Sequence, residues 1–146
     1  MKQEDMDMMV EQFSEIAKSI KAGEVTSEEI MAGIIEARAE VEVALGKVLA
    51  ILNGEEVEGI TEDKKATIIS DMFKEAENYD KKEHKKELKK VLKLTAKLDT
   101  EIGSEMFLPF MIEVIGLSSE ITSRFNPKIS KTASKVVDKF LEKQEA

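Results

Sequence analysis

The sequence predicts an all-α fold, a single-domain bundle of five or six helices, and three observations carry that prediction. Apolar residues recur at three-and-four spacing along most of the chain. Helix start and stop residues punctuate the pattern, and alternating strand patterns are nearly absent. At 146 residues the chain has the size of one domain and can enclose a core. With 42% apolar and 36% charged residues it is too apolar for a disordered chain and too charged for a membrane protein.

The first helix is expected over 4–22, because Met6, Met9, Val10, Phe13, Ile16, Ala17 and Ile20 share one helical face and Gly23 follows as a C-cap. The second has the clearest start. Thr26 as N-cap with Glu29 three residues on forms a capping box, and Val25 can staple onto Ile30. Its core stripe is Ile30, Ile34, Ala37, Val41, Leu45, Val48 and Leu52, and Asn53-Gly54 supplies the stop. The acidic segment 54–60, with two glycines, is the hinge candidate inside a domain that spans 1–146.

A third helix begins near Thr61, with Glu62 and Asp63 favourably set against the positive helix end, and is expected to bury Ala66, Ile69, Met72, Phe73 and Ala76. Around Asn78-Tyr79-Asp80 the apolar face rotates by roughly a third of a turn, and Asp80 with Glu83 resembles a second cap. A break is therefore expected there, with a fourth helix over 81–102 ending at Gly103. The fifth, over 105–124, carries Phe107, Phe110, Val114, Leu117 and Ile121 on one face and Leu108, Ile112 and Ile115 on another. A helix apolar on most sides is buried on most sides, so it belongs at the centre, beside the second helix, or in a subunit interface. With Ser104 as cap, Pro109 lies too deep for a first turn, which points to a later start or a bend. The sixth opens with Asn126 as cap and Pro127 at the first position, turns Ile129, Ala133, Val136, Val137 and Phe140 inward, and runs to about 142.

Chemistry is sparsely marked. The chain lacks cysteine, so disulfides, thiolate nucleophiles and Cys-ligated zinc are excluded. No phosphate loop, nucleophile elbow, zinc-protease motif or EF-hand series occurs. A single histidine, His84, cannot supply a di-iron carboxylate bundle. It falls at the first turn of the apolar face of the fourth helix, where a boundary residue with one hydrogen bond is expected. No catalytic residue, metal ligand or cofactor is assigned. The longest uncharged apolar run, 106–112, is far short of a bilayer span, and the N-terminus lacks a signal-peptide layout; a cytoplasmic protein is expected.

Charge is what the sequence offers instead. Residues 1–63 hold 5 Lys/Arg against 16 Asp/Glu, whereas 64–146 hold 17 against 14. Lys82, Lys86, Lys89, Lys90, Lys93 and Lys97 project within about 100° of arc on the fourth helix. Arg124, Lys128, Lys131, Lys135, Lys139 and Lys143 follow one side of the sixth. Arg38 projects into the core stripe of the second helix, where a buried guanidinium needs a carboxylate, Glu42 being the local candidate and Glu113 the distant one; alternatively it snorkels at the stripe edge with its stem packed and its head in water.

The expected function is a non-enzymatic protein-interaction or assembly module that self-associates, with Arg38, Glu113, Leu108, Ile112 and Ile115 as candidate contacts. The methionine-rich first helix is a further candidate surface. The alternative is a nucleic-acid-binding regulator using the basic stripes of Lys82, Lys86, Lys89, Lys93, Lys97, Lys131, Lys135 and Lys139.

Overall fold

The computed structural model describes residues 3–145. The side chains of Met6, Met9, Val10, Phe13 and Ile102 lie outside the described residues. Six helices occur among those described, and no strand: α1 (Gln3–Lys21), α2 (Ser27–Leu52), α3 (Glu62–Glu77), α4 (Lys81–Ile102), α5 (Phe107–Thr122) and α6 (Lys128–Glu145). No helix among them is long and apolar enough to cross a membrane.

Local capping sets most boundaries. The Thr26 hydroxyl accepts from the Glu29 amide at 3.2 Å, Thr61 does the same for Lys64, and Asp80 accepts from the amides of Lys82 and Glu83. Each satisfies helix donors that have no partner within the first turn. Asp80 thereby separates α3 from α4. Gly103 ends α4 in the left-handed region at φ 67°, which its missing side chain permits. The Asn126 side chain accepts from the Lys128 amide at 3.1 Å and starts α6.

α5 begins differently. Ser104 takes only the Met106 amide, and the helix starts at Phe107 with no capping side chain of its own. Asp99, buried near the end of α4, accepts from the amides of Phe107 at 3.1 Å and Leu108 at 2.9 Å. The later start puts Pro109 third in the helix, where its missing N–H costs no hydrogen bond. Burial raises the Asp99 carboxyl above its ordinary range, and the two amide bonds pull it back.

The core forms around α4 and α5. Leu88, Val91 and Leu92 of α4 meet Phe107, Met111, Val114 and Ile115 of α5, with Ala133, Val136 and Phe140 closing from α6. α5 packs on α2, α4 and α6, while α1 lies on α4. α5 is therefore central as expected, but its central neighbour is α4. α2 is peripheral: of its stripe only Ile30 is buried, together with Ile51, and Ile34, Ala37, Val41 and Leu45 are half-buried.

The inward face of α3 also differs from expectation. Lys65, Ile68, Met72 and Ala76 turn inward, whereas Ala66, Ile69 and Phe73 are exposed. The helix is rotated by about 50° from the face its apolar residues suggest, which keeps Met72 and Ala76 inward. Lys65 lays its aliphatic stem against the protein and pairs its ammonium with exposed Glu62 at 3.2 Å. Phe73 packs edge-on against Phe125, ring centres 6.3 Å apart, and against no other aromatic ring among the described residues.

Candidate interaction surfaces

Arg38 finds both expected partners at once. Its guanidinium lies 2.9 Å from Glu113 on α5 and 3.4 Å from Glu42 on α2. The group is not buried: the side chains of Arg38 and Glu42 are more than half exposed. Arg38 snorkels at the stripe edge and pins α2 to α5 with a pair worth about 0.2–1 kcal/mol, as is usual for exposed ion pairs.

The second apolar face of α5 is used inside the molecule. Ile115 is buried, and Leu108 and Ile112 are half-buried against the core. Ile115 is therefore not available to a partner.

The lysine stripes approach one another at one edge. Lys82, Lys86, Lys89, Lys93 and Lys97 on α4, and Lys131, Lys135 and Lys139 on α6, are all exposed. They make no ion pair among the described residues. α4 and α6 pack side by side, and Lys85 sits where Lys89 of the one stripe approaches Lys135 and Lys139 of the other; it is held below the ordinary lysine range first by Lys81, then by partial desolvation and by Lys139, Lys89 and Lys135.

His84 is half-buried at the first turn of α4. Its Nδ1 lies 3.3 Å from the Tyr79 hydroxyl, and the two rings stand edge to face at 5.2 Å. Burial foremost lowers its pKa below the ordinary 6.5. No group of three or more His, Asp or Glu side chains is arranged to hold a metal ion among the described residues.

The surface that sequence reasoning missed is the outer side of α2. Met31, Ile35 and Val43 are 52%, 63% and 58% exposed. With Ala32, Ala39 and Gly46, also exposed, they form a largely apolar strip about 120° wide opposite the core stripe, into which exposed Glu28 and Glu42 also project. The signal was present: α2 has apolar residues on nearly every side, as α5 does. Gly46 lies in this strip, and a side chain built there meets nothing within 4 Å, as at the other glycines of the chain. A mid-helix glycine costs about 0.5–1 kcal/mol relative to alanine, and nothing within the chain needs the space.

Comparison with protein families, with curated proteins and with solved structures finds no match for this chain, so its function has to be read from its own geometry.

Proposed function

We propose that this protein is a non-enzymatic assembly module that pairs with a second copy of itself through the outer face of α2. The observation that supports this reading is the strip itself, which is largely apolar, exposed and self-complementary in its apolar positions. A two-fold interface requires a patch that matches its own image. About Ala39 the strip does so: Ile35 and Val43 lie four residues to either side, and Ala32 and Gly46 seven.

In an antiparallel pair crossing at Ala39, Ile35 of one copy meets Val43 of the other. Ala32 meets Gly46, and the small residues let the two backbones approach closely. Charges on the flanks suit the same orientation, since Glu42 comes near the partner's Arg38 and Glu29 near the partner's Lys47. Glu36 and Glu40 oppose one another and set a limit on affinity.

The absence of cysteine provides a clean test. Ala39→Cys places one thiol at the crossing point, and mild oxidation is expected to convert the chain into a disulfide-linked dimer. Ser70→Cys, on exposed α3, should remain monomeric under the same conditions. Equal cross-linking of the two variants would contradict the reading.

A second reading is supported by the convergence of α4 and α6 lysines around Lys85. Such a face can neutralise the phosphates of nucleic acid without reading sequence. On that reading a labelled DNA duplex binds at low salt, the affinity falls steeply as salt rises, and changing Lys86, Lys89 and Lys93 to Glu abolishes it. Salt-independent binding, or none at low salt, would remove it.

A further inference from the structure

A cleft of about 440 Å³ opens where the α3–α4 junction faces α5 and α6. Its floor is apolar, formed by buried Leu88, Ile115 and Ile129. Ser118 and Ser119 also line it, each only 7% exposed. Neither hydroxyl makes a hydrogen bond among the described residues; the bonds at this turn run from the Thr122 hydroxyl to their backbone carbonyls. Yet no side-chain polar atom among the described residues is both sealed from access and unpartnered, so these hydroxyls remain reachable from the cleft. A hydroxyl that opens into the cleft without a protein partner is available to an occupant that can bond to it.

The electrostatics restrict what that occupant can be. Four acidic residues, Glu75, Asp80, Glu83 and Glu87, line the cleft, and among the described residues no lysine or arginine does, although α4 alone carries eight lysines. Asp80 is committed to the α4 cap. Tyr79 and His84 form one wall, their rings edge to face. With its pKa lowered, His84 adds no positive charge at neutral pH. The cleft thus combines an apolar floor, an unpartnered hydroxyl, an aromatic wall and a carboxylate rim.

We propose that this cleft binds a short aliphatic amine bearing two or more ammonium groups. The methylenes lie against Ile129 and the half-exposed Tyr79 at the cleft wall, since Leu88 and Ile115 are closed off beneath them. One ammonium donates to the Ser118 hydroxyl, and another pairs with Glu75 and Glu83 beside the Tyr79 ring. The site is on other helices than the outer face of α2, so it stands or falls independently of self-association.

Titration calorimetry on the full chain tests this, with spermidine and putrescine as probes and 1,4-butanediol as an uncharged control. Spermidine is expected to saturate one site per chain, and butanediol to give no binding. Glu75→Gln together with Glu83→Gln, both exposed positions that leave the core intact, should weaken spermidine at least ten-fold. Ser118→Ala should weaken it about five-fold with the helical spectrum unchanged. The proposal is overturned if no saturable binding occurs at millimolar spermidine. It is equally overturned if the affinity survives Glu75→Gln/Glu83→Gln but falls with Glu28→Gln/Glu36→Gln/Glu40→Gln, which would make the amine a loose counterion of α2.

Discussion

α2 and α4 are the two longest helices, 26 and 22 residues, and they dispose of their apolar side chains in opposite ways. α4 carries eight lysines, yet Leu88, Val91, Leu92 and Leu98 are all buried and its lysines fan out over the far side. α2 is far richer in apolar residues, but buries only Ile30 and Ile51 and leaves Met31, Ile35 and Val43 in solvent. A narrow stripe facing a single core is satisfied within one chain. A helix apolar on two sides is satisfied on only one of them here, and the second side is left in solvent.

The sharpest way to break this contrast is to truncate one residue on each helix. Leu92→Ala removes a fully buried side chain from α4 and should lower stability by about 2–5 kcal/mol in urea unfolding. Ile35→Ala on α2 should change the stability of the monomer by no more than about 0.5 kcal/mol. Comparable losses at the two sites would show that α2 is held as tightly as α4. Asp99→Ala comes next. It leaves the amides of Phe107 and Leu108 without their acceptor, and about 1–2 kcal/mol should be lost, as for other helix caps.

Gly46→Ala sharpens the comparison by separating the two roles of α2. In dilute protein it should raise stability by about 0.5–1 kcal/mol, because the added methyl meets nothing and the helix gains propensity. The same change should weaken pairing, read as a higher dissociation constant in sedimentation velocity. Gains in both would place the partner elsewhere. The smallest effect concerns α4 alone. His84 has a lowered pKa in the folded chain, so as pH falls through 6.5 the unfolded chain takes up the proton first and stability declines. Above that pH the residue contributes no pH dependence. A modest loss of thermal midpoint between pH 7 and 5, reduced in His84→Gln, is the expected result.

Where a structural signal is local, the residues announced it. The Thr26 cap, the Asp80 break, the Gly103 stop and the Asn126-Pro127 start each act within four residues, and each boundary lies where expected. Tertiary choices were less legible. Nothing local marks Asp99 as the acceptor for α5, because it reaches eight and nine residues along the chain. Phe73 looks like an inward residue of α3 until Lys65 takes the packed face with its aliphatic stem. Arg38 was legible down to both partners because Glu42 lies one helical turn on and Glu113 is a carboxylate embedded among the apolar residues of α5, although the half-exposed head of Arg38 does not require them. The outer strip of α2 was overlooked because the stripe chosen for the core was already complete, and the surplus residues beside it had no assigned neighbour.

Sedimentation equilibrium of the wild type and of Ile35→Asp tests the central claim most directly. The wild type is expected to approach twice 16.4 kDa as concentration rises, and Ile35→Asp to remain at 16.4 kDa with an unchanged helical spectrum. A wild type that stays at the single-chain mass at high concentration, or an Ile35→Asp variant that pairs as well as the wild type, would contradict a partner surface on α2.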